Sequence, residues 1–163
     1  MKKSKKQNIV LASVAIIIIG AIIGYNYSAE QARQKGFNFG NELQQIQENV
    51  KQAQIEFDSK TTQWKEGDLT QQEFVKFSED HVKKMEEIII KYDELTPPKQ
   101  FAASVQLFKI STQSQLDSDK EYIEGIITKD ESHNIRSDSL LQESFEYEMM
   151  ALREFNAAKA GLN

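Results

Sequence analysis

Apolar residues are distributed along this chain in two unlike ways. From Ile9 to Tyr25 they are almost continuous, and no charged residue stands between Gln7 and Ala29. From Phe39 onward they come singly, three or four positions apart, with charged and amide residues between them. The first pattern predicts a helix able to cross the ~30 Å hydrocarbon layer at 1.5 Å per residue. The second predicts amphipathic helices that bury one face against one another.

Within the second part, Phe39, Leu43, Ile46, Val50, Ala53, Phe57 and Trp64 form a heptad stripe that marks the first helix. Gly67 is its expected left-handed end. Thr70 and Glu73 then make a capping box, with Leu69 and Phe74 placed as its hydrophobic staple. Phe74, Phe77, His81, Met85, Ile88, Tyr92 and Leu95 share the face that follows. Leu95-Thr96-Pro97-Pro98 ends that helix and starts the next, with Thr96 as cap, because proline suits a first turn but not a helix interior. The third face is Phe101, Val105 and Phe108, a polar middle, then Leu116 and Tyr122 onward. The fourth is Leu141, Phe145, Met149, Leu152 and Phe155, ended by Gly161. Four helices are expected, at about 37–66, 71–95, 97–128 and 132–160. Short connections force antiparallel neighbours, so the fold class is all-α: an N-terminal transmembrane helix followed by an up-down antiparallel four-helix bundle.

Charge orients this picture. Lys2, Lys3, Lys5 and Lys6 precede the apolar run and none follows at once, which predicts a cytoplasmic tip (1–7), an anchor (8–28) and an extracytoplasmic domain (29–163). Cleavage as a signal peptide, giving a secreted helical protein, is the competing reading. The long run and the large residues two positions before Ser28 and Ala29 (Asn26 and Tyr27) weigh against it. Taking the four lysines from the net charge of -5 leaves -9 on the rest, which does not suit nucleic-acid binding. With no cysteine, disulfides, thiolate sites and a lipidated cysteine are excluded. Gly20 and Gly24 form a GxxxG that offers a membrane-helix contact, although glycines are common in such helices.

Few residues carry candidate chemistry. His81, Thr112, Gln115 and Glu148 fall near one level of an antiparallel bundle, with Thr112 opposite both His81 and Glu148. They form either a small polar ligand site or a hydrogen-bonded layer that sets helix register. Ile123, Ile126, Ile127 and Ile135 lie where the last hairpin overhangs the end of the bundle as a partner surface, or folds over and buries them. A di-iron bundle needs Glu-x-x-His pairs that are missing, and Tyr122 stands where a calcium loop beginning at Asp117 needs glycine. No nucleophile triad, phosphate loop or zinc spacing occurs, so neither metal, cofactor nor enzymatic activity is expected.

The layout of basic tip, single anchor, long helix, Leu95-Thr96-Pro97-Pro98 break and helical hairpin resembles small single-pass envelope proteins of prokaryotes. No functional residues carry over from that resemblance. The bundle also looks like the four-helix sensor domain of chemoreceptors. Those return through the membrane by a second apolar helix, and with one such run here, signalling by this chain alone is not expected. The function expected is a membrane-anchored, non-enzymatic interaction module or accessory subunit of an envelope complex. Its partners would be the bilayer through 8–28 and another envelope or membrane protein or itself. The alternative is a sensor-like bundle that binds a small ligand.

Overall fold

The computed structural model describes the backbone of residues 30–160 and the side chains from Asn38 to Ala160. The expected anchor, with Gly20 and Gly24, lies outside the described residues. Among the described residues the chain is all-α: α1 (Glu30–Glu66), α2 (Gln71–Glu94), α3 (Ala102–Thr128) and α4 (Glu131–Ala160), with a 3-10 turn at Lys99–Phe101. No helix among them is long and apolar enough to cross a membrane.

The local signals are realised where backbone chemistry is strongest. Gly67 takes φ +85°, and the N–H of Asp68 and of Leu69 close back on the Gln63 carbonyl at 2.8 and 3.3 Å. Thr70 Oγ1 accepts from the Glu73 N–H at 3.2 Å, while Glu73 accepts from the Thr70 N–H at 2.9 Å, completing the capping box. The Thr70 N–H, and then the Thr70 hydroxyl donating to the same carboxylate at 2.7 Å, hold the Glu73 carboxyl below its ordinary range.

One expected boundary moves. Helix three starts not at 97 with Thr96 as cap but at Ala102, after Leu95 (ψ 142°) and Pro98 (ψ 144°) run extended. Each residue before a proline is driven out of the helical region, so the Pro97-Pro98 pair delays nucleation past itself. This lengthens the turn and slides α3 along α2. His81 therefore meets Asp119 rather than Thr112.

Cross-helix bonds define the topology. Glu56 and Gln47 on α1 meet Lys84 and Tyr92 on α2, Glu86 and Asp93 on α2 meet Lys120 and Lys109 on α3, and Ser111 and Ser118 on α3 meet Ser144 and Ser137 on α4. In each pair, numbers rise along one helix as they fall along the other, so sequential helices are antiparallel. Two apolar clusters fill the bundle. The larger, toward the Pro97 turn, includes Leu43, Met85, Ile88, Val105, Phe108, Leu116, Leu152 and Phe155. The smaller, toward the Gly67 turn, is Phe57, Phe74, Ile123 and Ile126. Ile123 and Ile126 are thus covered by aromatic rings of α1 and α2, and Gln71 reaches the Ile126 carbonyl at 3.4 Å. Of the four isoleucines expected at the tip, Ile127 (45% exposed) and Ile135 (72%) remain at the surface.

α4 faces its neighbour differently from the heptad expectation. Leu152 and Phe155 are buried, but Met149 is 57% exposed and Leu141 and Phe145 are only half-buried. The face turned to α3 instead carries Ser137, Ser144 and Ala151, seven residues apart. They meet a matching row of Ser104, Ser111, Ser118 and Gly125 on α3. Ser111 Oγ donates to the Ser144 carbonyl and Ser144 Oγ to the Ser111 carbonyl, both at 2.9 Å. Ser118 Oγ donates to the Ser137 carbonyl at 2.8 Å. A hydroxyl one carbon from its backbone reaches a carbonyl across a helix pair only when the two axes come close, which small residues permit. At the tip, a Cβ on Gly125 would lie 3.1 Å from Asn134 Oδ1 and 3.3 Å from His133 Cβ.

Candidate functional site

The close α3–α4 pairing has a geometric cost on the opposite side of α4. At the Pro97 end, Phe39, Phe101 and Phe155 join α1 to α4, with ring centroids 5.7 and 4.8 Å apart. Toward the Gly67 end, α4 stays on α3 and leaves α1. A groove of about 390 Å³ opens there, walled by α1 and α4 and floored by α3. Its walls are Val50, Ile55 and Phe57 on one side and Leu141, Phe145 and Glu148 on the other. Its floor carries Thr112, Gln115, Ser118 and Asp119. A concave, mostly apolar space with a few convergent polar groups is the form small-molecule sites take.

Beneath the groove lies a polar layer centred on Asp119, which is itself buried. His81 Nε2–H donates to Asp119 Oδ2 at 2.9 Å, Gln54 Nε2 to the same oxygen at 2.6 Å, and Gln115 Nε2 to Oδ1 at 3.2 Å. The carboxylate thereby ties α1, α2 and α3 at one level. These three donors, among them the His81 imidazole stacked on Phe57 at 4.4 Å, satisfy it internally. A second chain runs one level away. Gln47 Nε2 donates to the Tyr92 hydroxyl at 2.6 Å, Tyr92 to Thr112 Oγ1 at 3.0 Å, and Thr112 to the Phe108 carbonyl at 3.0 Å. Burial pushes the Tyr92 phenol up, and the nearby Glu148 charge adds to this, so it stays a neutral donor.

The four residues singled out in the sequence are therefore placed in three settings. His81 and Gln115 share Asp119, Thr112 belongs to the Tyr92 chain, and Glu148 stands on the groove wall. Neither His81 nor Tyr92 lines the groove. Glu148 is partly buried, makes no hydrogen bond or ion pair with another described residue, and is pushed by that burial from 4.5 up to about 7. Thr61 is the residue that sequence reasoning passed over. It is 6% exposed, lines the groove, and its Oγ1 is the one buried side-chain polar atom without a hydrogen-bond partner among the described residues. Such atoms are uncommon because each costs about 1–3 kcal/mol. Threonine mid-helix gives no advance sign of this, since most such hydroxyls bond back to their own helix.

At the Gly67 end, Glu121 accepts from His133 Nδ1 at 2.6 Å and from Arg136 at 3.1 Å, and these bonds, the His133 one foremost, lower its pKa. Among the described residues no three His, Asp or Glu side chains gather as a metal ion would require. Compared with known protein families, curated proteins and solved structures, the chain matches none of them.

Proposed function

We propose that this chain is a membrane-tethered, non-enzymatic binding module. Residues 8–28 hold it in the bilayer with the tip 1–7 inside, and its four-helix domain receives a small ligand outside. The observation that carries the reading is the α1–α4 groove, with apolar walls and a hydrogen-bonded polar floor. A rigid floor tied by Asp119 to three helices suits recognition better than chemistry, since Asp119 is already saturated by donors.

A thermal-shift screen of small polar and amphipathic compounds against the full chain tests the groove. Leu141→Trp, which fills it, is expected to remove the shifts. Shifts that persist in that variant would place binding elsewhere, and a screen without any shift would remove the reading. The tether is tested separately. The chain has no cysteine, so Ser139→Cys on exposed α4 introduces a single thiol. Labelling of intact cells by a membrane-impermeant maleimide, with retention in the membrane under alkaline extraction, is expected. A soluble or protected thiol counts against the tether.

A second reading rests on Ile127 and Ile135, exposed together beside the α3–α4 turn. As accessory-subunit contacts, they would be crosslinked to a neighbour through photoreactive residues placed at either position, and no adduct would argue against it.

A further inference from the structure

The three turns of the bundle reverse the chain by different means. At Gly67 and at Lys129 a left-handed residue, at φ +85° and 60°, folds the backbone onto the helix just ended. The Asp68 N–H then meets the Gln63 carbonyl at 2.8 Å, and the Lys129 N–H meets that of Gly125 at 3.0 Å. Either turn carries its reversal within its own backbone. The middle turn has no left-handed residue. Leu95 (φ -65°, ψ 142°) and Pro98 (φ -55°, ψ 144°) hold polyproline II values instead. The backbone bonds there, Phe101 N–H to the Pro98 carbonyl at 2.8 Å and Ala102 N–H to that of Lys99, both lie on its α3 side. Each proline fixes its own φ and drives the residue before it out of the helical region, so this stretch is stiff and extended by its own chemistry. Its reversal comes from what its ends pack against. Leu95 and Phe101 are buried in the larger cluster, and Lys109 meets Asp93 across the turn at 2.6 Å.

We propose that the chain pairs with a second copy by exchanging hairpins, so that α1–α2 of each copy packs on α3–α4 of the other, with Leu95–Pro98 as the hinge. The contacts that join the hairpins are Asp119 with Gln54 and His81, Glu86 with Lys120, and Phe57 with Tyr122 at 6.3 Å. None of them depends on the two hairpins sharing a chain. Four residues of polyproline II span about 12 Å at 3.1 Å each, which exceeds the roughly 8–10 Å between packed helices. A straightened hinge therefore delivers α3 to a neighbouring bundle. A flexible linker would favour a chain's own hairpin at an effective concentration of about 1 mM, and a linker that resists bending forfeits part of that advantage. The surface used is the one each hairpin already buries in the single chain, so the partner it fits is this same sequence. The exchange needs no molecule in the groove, and it stands or falls apart from the groove reading.

Crosslinking between two tagged forms of the full chain tests it. One form carries Glu86→Cys and the other Lys120→Cys, since the chain has no cysteine and this ion pair joins the two hairpins at the surface at 2.8 Å. The two are coexpressed, extracted in mild detergent and treated with a short bismaleimide. A covalent heterodimer recovered through both tags is expected, at least about tenfold more abundant than the adduct from two Glu86→Cys chains, which reports mere association side by side. Replacing the hinge prolines in both forms, Pro97→Gly with Pro98→Gly, is expected to cut the heterodimer about threefold or more with unchanged circular dichroism, because glycine turns without resistance. In a chain carrying both Glu86→Cys and Lys120→Cys, the same two substitutions should move the adduct from between chains to within one. Adducts only within one chain in that variant, with no heterodimer from the mixed pair, would overturn the proposal. Equal adduct from two Glu86→Cys chains would overturn it too, and so would a heterodimer that the glycines leave unchanged, since pairing would then lie outside the hinge.

Discussion

The two hairpins of this bundle are held together by opposite means. Between α1 and α2 the contacts are large: Phe57 against Phe74 at 5.9 Å between centroids, with Trp64 also on Phe74 at 5.6 Å. Between α3 and α4 they are small: serine hydroxyls bonded to the backbone of the facing helix. The first arrangement gains from apolar area removed from water and tolerates a wide interaxial gap. The second gains from backbone approach and hydrogen bonds, and it tolerates no added volume. A bundle built from one wide pair and one narrow pair cannot close evenly on all four sides. The groove between α1 and α4 is where the mismatch is left.

Substitutions that exchange the two logics test this, beginning with the largest effect. Phe57→Ala should cost about 4 kcal/mol in chemical denaturation, because it empties the ring that covers Phe74, His81 and Tyr122 together. Truncation in the second hairpin should be far milder. Ser144→Ala loses its bond to the Ser111 carbonyl at about 1 kcal/mol, whereas Ser144→Leu should cost about 3 kcal/mol by forcing the helices apart. Equal costs for Ala and Leu at position 144 would deny that the interface depends on close approach.

The groove wall gives the next effect, through pH. Glu148 titrates near 7 in the folded chain against 4.5 when free, so the folded state holds its proton more tightly. Stability therefore falls as pH rises from 4.5 through 7, by about 2 kcal/mol after allowance for partial exposure. Glu148→Gln should flatten that decline in urea titrations at pH 5 and pH 8. A decline of unchanged size would assign it to another group. Smallest is the turn of the second hairpin. Lys129 holds φ 60°, a left-handed conformation that glycine adopts without strain. Lys129→Gly should raise stability by roughly 0.5–1 kcal/mol, while Gly67→Ala, at φ +85° in the first hairpin, should lower it by a similar amount.

Much of the fold is legible in the sequence wherever the determining physics is local. The heptad stripe of α1, the Thr70 capping box, the Gly67 turn and the Leu95–Pro98 break all act within a few residues, and all are present. Register and rotation are less legible because they depend on neighbours. The extended residues around Pro97 and Pro98 shift α3 enough to give His81 the carboxylate of Asp119 instead of the hydroxyl of Thr112. Serine reads as a solvent residue by polarity, so the row at 104, 111 and 118 and its partner at 137 and 144 pass unseen. Their spacing of seven was the available signal. With that row turned to α3, Leu141 and Phe145 are left facing the groove rather than the core. Ile123 and Ile126 are covered because Phe57 and Phe74 come from helices distant in sequence, which no single stripe announces.

The turn at Lys129 has a consequence for the order in which the bundle assembles. Ser118 and Ser137 find each other across 19 residues of chain, whereas Gln54 and Asp119 must close a loop of 65. The entropy of closure favours the shorter by about 1 kcal/mol before any contact energy is counted. Contacts near in sequence form sooner, so the serine-faced hairpin, like the α1–α2 hairpin whose Phe57 and Phe74 are closer still in sequence, forms before the two hairpins dock. When they dock, α4 is already committed to α3, and α1 is received by the free face of α3. The cleft then records a sequence of events in folding as much as a choice of side chains.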